Sequence, residues 1–177
     1  MTKEKGWIDG AEILKSPNFD ERKDDVSLIV IHAISLPPAK YGSNHIDRFF
    51  LNELDPSEDP YFKQISNLKV SSHFLIERTG VLKQFVSTNN RAWHAGESSF
   101  QGKNNCNDFS IGIELEGTDS SVFEDIQYSK LIELTRTLMQ NYPKISKERI
   151  VGHSFIAPGR KSDPGDFFDW KNYKSQI

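Results

Sequence analysis

The chain has a single cysteine, Cys106, among 177 residues, which excludes an internal disulfide and fits a reducing compartment. Long apolar runs are also missing. Mean hydropathy is -0.57, and the longest stretch, residues 28–31, is far shorter than the ~20 residues a membrane-spanning helix needs. The opening MTKEKGWIDGAEILK has lysines but no apolar segment behind them, so no secretory signal and a cytoplasmic location are expected. Charge is nearly balanced, with 22 basic against 25 acidic residues and a net charge of -3. Without a basic run, neither nucleic acid nor a membrane is an expected partner, and no obligate protein partner is evident. The chain carries no G-x-S-x-G elbow, which argues against a serine hydrolase. Cys106 has Asn104, Asn105 and Asn107 around it and no cation to stabilise a thiolate, so it reads as a passive thiol. No internal repeat or low-complexity linker is present, and residues 1–177 are expected to form one domain large enough to bury its own core.

What is present is an α/β pattern. Residues 26–31 (VSLIVI) are almost continuously aliphatic, which predicts a strand buried on both faces, with His32 at its end. Residues 72–77 and 81–86 read as a β-hairpin with Gly80 in its turn. Residues 109–115 (FSIGIEL) predict another strand, with Ile111, Ile113 and Leu115 on one face and Gly112, Glu114 and Glu116 on the other. A short helix is expected near residues 8–14, another over 45–54 from the spacing of Ile46, Phe49, Phe50 and Leu54, and a long one over 124–142 lined by Leu131, Leu134, Leu138 and Tyr142 and closed by Pro143. A short strand is expected over 148–151, and Asp169 is placed to cap a last helix over 170–176.

The chemistry collects around residues 152–165, GHSFIAPGRKSDPG. His153, Lys161 and Asp163 stand there in a Gly/Pro-rich loop able to fold back on itself. A neutral imidazole and a carboxylate are natural zinc ligands. His32 is either a core histidine or a third ligand, since sites on α/β sheets are built where buried strands meet loops. Taken together, His32, His153 and Asp163 would leave a fourth position for water, the arrangement of catalytic rather than structural zinc. Glu114 or Glu116 is then a candidate acid/base; the alternative is an edge strand with both acids in water. Residues 89–102 (NNRAWHAGESSFQG) lack periodicity and place Trp93 beside His94, which reads either as a carbohydrate or peptide platform or as core packing. His73 reads as structural, and His45 as exposed.

The segments IVIHAISLPP, SSHFLI, RAWHAG, CNDFSIGIELEGTD and GHSFIAPGRKSDPG, in this order and at these intervals, resemble the zinc-dependent N-acetylmuramyl-L-alanine amidases, specifically those acting on 1,6-anhydro-N-acetylmuramyl peptides. The resemblance runs from about Gly6 to the last helix. It implies a central mixed β-sheet flanked by helices, as in the amidase and peptidoglycan-recognition folds, and one zinc ion per chain on His32, His153 and Asp163. It further implies Glu114 as acid/base, Lys161 as stabiliser of the oxyanion, and a cytoplasmic reaction that cleaves the amide between anhydro-N-acetylmuramic acid and the stem-peptide L-alanine in cell-wall recycling. Contacts to the muropeptide are expected at Lys69, Trp93, His94, Asn105 and Ala157. Ala33, Lys69 and Asn105 depart from the residues expected at their positions, which are asparagine, arginine and arginine. A lysine cannot reproduce a bidentate arginine contact, so these changes bear on how stem-peptide carboxylates are held. The competing reading is a non-catalytic muropeptide-binding module on the same fold; the presence of Asp163, Glu114 and Lys161 favours the enzyme.

Overall fold

The computed structural model describes residues 6–177. Its strands are β1 (Glu12–Ile13), β2 (Phe19–Glu21), β3 (Leu28–Ile34), β4 (Phe74–Ile76), β5 (Leu82–Gln84), β6 (Asn90–Ala92), β7 (Ser99–Phe100), β8 (Lys103–Asn104), β9 (Ser110–Glu116) and β10 (Ile150–Gly152). The helices are α1 (His45–Phe50), α2 (Phe62–Ile65), α3 (Asp125–Asn141), α4 (His153–Ile156) and α5 (Trp170–Ser175). Six strands form one mixed sheet in the order β1-β5-β4-β9-β3-β10, with β4, β9, β3 and β10 mutually parallel and β5 antiparallel to β4. Two further antiparallel pairs, β2 with β6 and β7 with β8, lie outside it.

The alternation of β3 and β9 decides what each face of the sheet becomes. Ile29, Ile31, Ile111, Ile113 and Leu115 pack against Leu131, Leu134 and Leu138 of α3. Leu28 and Val30 face the other way, into a cluster with Ala95, Phe100, Cys106 and Phe109. Leu131 and Leu138 are fully buried, and each such side chain contributes about 1.5–3 kcal/mol relative to exposure. The first turn of α3 is fixed by a reciprocal capping box between Glu124 and Gln127. The Gln127 side chain also donates to the carbonyls of Ile76 and Glu116, 3.1 Å each, which ties the helix start to the carboxyl ends of β4 and β9. Among the described residues no helix is long and apolar enough to cross a membrane.

The expected hairpin is formed, with Gly80 at φ +83° in its turn, and α1, α3 and α5 lie where the periodicity placed them. Asp169 caps α5 by accepting from the Asn172 N–H at 2.8 Å. Four expectations are corrected. The short helix near residues 8–14 is absent: Gly10, at φ +82°, turns the chain, and the edge of β5 then offers β1 a strand's hydrogen bonds instead. His32 does not end β3, because pairing with β9 continues to Ile34 opposite Glu116. The edge-strand alternative for Glu114 and Glu116 fails because β9 lies between β4 and β3, leaving the two acids 8% and 2% exposed. The aperiodic segment 89–102 contains β6 and β7, because β2 and β8 supply partners that the local pattern does not reveal.

Candidate active site

Parallel strands bring their carboxyl ends to one edge, where α/β sheets build their sites. In the β3–β9 register His32 stands directly opposite Glu114. Residues in register on neighbouring strands point to the same face, so the imidazole and the carboxylate lie side by side. On the other flank of β3, Gly152 pairs with Ile31 and the next residue is His153. The return of the 157–165 loop brings Asp163 back, with the Ser154 N–H donating to the Asp163 carbonyl at 2.9 Å.

Three ligand-capable atoms converge as a result. His32 Nδ1 and His153 Nδ1 are 3.0 Å apart, and each lies 3.1 Å from Asp163 Oδ2. Nδ1 of His153 carries a lone pair, because its Nε2–H donates to the Ala95 carbonyl at 3.1 Å. Two imidazoles and a carboxylate meet at one point, with the histidines 1% and 3% exposed, and this group could hold a metal ion. Burial holds His32 neutral, with its pKa pushed down to about 4. Burial opposes ionisation of Asp163, but His153 and His32 on one oxygen outweigh it and keep the carboxyl well below the usual carboxylate range.

Glu114 is the other buried charge. Burial first, then the nearby Asp163, raises its pKa well above the ordinary value, and Lys161 works against that rise. Its Oε2 is enclosed and has no hydrogen-bond partner, and the residue is part of the cleft lining. Glu116, also suspected from the sequence, is used structurally: its two oxygens accept from the N–H groups of Gly42 (2.6 Å) and Arg78 (3.1 Å).

These side chains line a cleft of about 460 Å³. One wall is apolar, from Phe49 and Phe50 of α1 and from Tyr61, Ile65, Leu68 and Val70; Thr118, Asp119, Arg160 and Lys161 lie on the polar side. Trp93 lines the cleft with a buried indole N–H that has no partner. His94 also reaches the cleft, but its ring bonds to His32 and Ser110. Asn105 and Ala157 line an adjoining depression that meets the cleft at Arg160. Lys69 is exposed, between the two cleft residues Leu68 and Val70. Ala33 is part of the cleft beside His32.

His45 is half-buried rather than exposed, because Glu58 pairs with it at 3.3 Å and its ring packs on Phe62. His73 is structural: it accepts from the Gly112 N–H at 3.1 Å, and burial and then Arg22 push its pKa down to about 3. Cys106 is buried, and burial raises its thiol pKa. Sequence reasoning missed the apolar wall. Phe49 and Phe50 carry only the signal of a core-facing helix, and nothing local says that one edge of such a helix borders a cleft.

The N-acetylmuramoyl-L-alanine amidase family profile matches residues 22–166. The chain is 53% identical over 176 residues to the 1,6-anhydro-N-acetylmuramyl-L-alanine amidase AmpD of Haemophilus influenzae, covering 98% of this chain and 96% of that protein. Against AmpD of Escherichia coli it is 49% identical over 176 residues, with the same coverage. A crystal structure of a selenomethionine AmpD derivative superposes with a TM-score of 0.96 at 46% identity, covering 100% of this chain and 99% of that one. The structure of E. coli AmiD with the substrate anhydro-N-acetylmuramic acid-L-Ala-D-gamma-Glu-L-Lys gives a TM-score of 0.63 at 29% identity, over 90% of this chain and 65% of that one. With a family match across most of its length and full-length relatives near half identity, this chain belongs to the N-acetylmuramoyl-L-alanine amidase family.

Proposed function

We propose that this chain is a cytoplasmic zinc amidase that hydrolyses the bond between N-acetylmuramic acid, in its 1,6-anhydro form, and the L-alanine of muropeptides released in cell-wall recycling. The observation that carries this reading is the register pair His32–Glu114, set beside His153 and Asp163 with one Glu114 oxygen unpartnered. His32 Nδ1, His153 Nδ1 and Asp163 Oδ2 would hold the zinc. The ion would supply Lewis acidity toward the scissile carbonyl and would lower the pKa of water to about 7.

Glu114 accepts a proton from the attacking water and returns it to the departing alanine amine. Burial and the Asp163 carboxylate hold the Glu114 pKa above its ordinary value, and the Lys161 ammonium opposes that rise. The Lys161 ammonium offsets the negative charge that develops on the amide oxygen. Opposite this polar side, Phe49, Phe50 and Tyr61 exclude water from the sugar and lactyl groups, and the Trp93 indole N–H is available to a substrate acceptor.

The test is to incubate the purified protein with anhydro-N-acetylmuramyl tripeptide and follow release of the free peptide by mass spectrometry. Activity should disappear with a chelator and return with zinc. A zinc-loaded protein that binds the muropeptide without cleaving it would instead establish the binding module.

A further inference from the structure

His94 has an arrangement that substrate contact does not explain. Its ring lies between β9 and His32: Nδ1 is 2.9 Å from His32 Nε2, and Nε2 is 3.1 Å from the Ser110 hydroxyl. Ser110, Gly112 and Glu114 alternate on one face of β9, and the imidazole lies over the gap that Gly112 leaves. A Cβ at Gly112 would come within 2.5 Å of His94 Cγ. The strand therefore carries glycine where the ring must sit.

The directions of these hydrogen bonds follow from the triad. If His32 presents the Nδ1 lone pair toward Asp163 Oδ2 and His153 Nδ1, its proton is on Nε2 and is donated to His94 Nδ1. That places the proton of His94 on Nε2, where it is donated to Ser110 Oγ. One tautomer of His32 thus selects one tautomer of His94. The next residue does the same for the second histidine, since the Ala95 carbonyl accepts from His153 Nε2. Both backbone N–H groups of this dipeptide, His94 at 3.1 Å and Ala95 at 2.8 Å, donate to the buried side-chain oxygen of Asn107.

We infer that His94 is a positioning residue for the metal site: with Ser110 behind it, it fixes the tautomer and orientation of His32, while Asn107 holds the His94–Ala95 segment against both histidine ligands. Metal-ligating histidines usually donate their second N–H to a carboxylate, a carbonyl or water, and losing that partner typically costs about 10–100-fold in metal affinity. His153 has the carbonyl; His32 has a neutral imidazole in that place. The inference rests on the proposed zinc site.

The experiment measures Zn²⁺ affinity by chelator competition, and the visible spectrum of the Co²⁺-loaded protein, for wild type, His94→Phe, His94→Asn and Ser110→Ala. His94→Phe keeps the ring volume and removes the acceptor; it should weaken zinc binding about 10–100-fold and shift the Co²⁺ bands. His94→Asn, whose Oδ1 stands where Nδ1 did, should recover most of the affinity. A His94→Phe protein with wild-type zinc affinity and a raised KM would overturn the relay and return His94 to substrate contact, and so would failure of His94→Asn to recover affinity. If His94→Phe does not fold, Ser110→Ala decides: weaker zinc binding supports the relay and unchanged binding overturns it. A wild-type protein that binds no zinc removes the metal site itself, an outcome distinct from wild-type binding that His94→Phe leaves unaltered.

Discussion

At the scale of single residues, the site separates into groups that hold and groups that react, and substitutions should separate them too. Glu114→Gln keeps the shape of the side chain and removes its basicity. It should retain full zinc while kcat falls by ~10²–10⁴-fold, the usual worth of a general base. Lys161→Ala should also retain zinc and lower kcat by ~10²–10³-fold, as expected when one stabiliser of a developing oxyanion is lost. Asp163→Ala should lose metal and activity together, since its Oδ2 touches both histidines. Zinc content measured beside kcat for the three variants checks the assignment; a zinc-free Glu114→Gln protein would make that residue a ligand. Substrate contacts divide differently. Trp93 is in the cleft with its N–H unpartnered, whereas Lys69 is exposed outside the lining. Trp93→Ala should therefore raise KM, and Lys69→Ala should change it by no more than about twofold, the effect of an ordinary surface substitution. Steady-state kinetics on the same muropeptide compares the two.

At the scale of elements, the loop bearing Lys161 and Asp163 and the helix bearing Phe49 and Phe50 are each fastened at identifiable points. The loop closes against residues 117–119, where Ser162 Oγ donates to Asp119 Oδ2 at 2.6 Å. Gly165, at φ +84°, approaches the same place so closely that a Cβ would lie 1.9 Å from the Asp119 carbonyl oxygen. Backbone cannot yield there as a flexible side chain can. Gly165→Ala should cost at least about 1–3 kcal/mol and weaken zinc binding by displacing Asp163, seen as a lower Tm together with weaker metal affinity. On the other side of the cleft, Asp47 of α1 accepts from Lys83 of β5 at 2.6 Å, and Glu77 meets the same ammonium at 2.5 Å. Lys83→Met would leave these carboxylates facing one another without a counter-charge. The expected loss is about 3–5 kcal/mol, measured by urea unfolding, with the apolar wall on α1 loosened before the sheet.

The elements themselves were largely legible from local pattern. The aliphatic run of β3, the alternation in β9 and the leucine face of α3 announce the sheet and its covering helix because burial leaves a period in the sequence. Residues 8–14 differ from the expected helix because a two-residue pairing on β5 outweighs a weak helical spacing interrupted by Gly10. The segment 89–102 showed no period because its strands are only three and two residues long.

At the scale of the whole molecule, burial of histidine gives the protein a predictable acid limit. His73 is fully buried with its pKa pushed down to about 3, against about 6.5 in an unfolded chain. Between these values the unfolded chain takes up a proton that the folded protein does not. Stability therefore falls as pH drops from about 6.5 and continues to fall toward pH 3. Between pH 7 and pH 5 this one residue should cost about 2 kcal/mol, and the lowered pKa values of His32 and His94 act in the same sense in metal-free protein. Urea unfolding of the metal-free protein at pH 7 and pH 5 should show the loss, and His73→Asn should show less of it. A wild-type stability that is flat over this interval would contradict the burial of His73 as a neutral group.

The sequence by itself determined the kinds of chemistry available: two histidines, an aspartate, a glutamate and a lysine, each placed on a strand or in a Gly/Pro loop, together with the strands and the long helix that carry them. Those are local properties, set by side-chain identity and by the period that burial leaves in the chain. Only the tertiary structure decided which of these residues meet. His32 and Asp163, 131 positions apart, share one point because β3 and β10 are parallel neighbours; Glu114 faces His32 through a hydrogen-bond register that no local pattern encodes. The place of His94 over Gly112, the hold of Asn107 on residues 94 and 95, and the apolar wall from α1 likewise arise from packing between distant segments. Such contacts leave no period in the sequence, because each depends on where another part of the chain comes to rest.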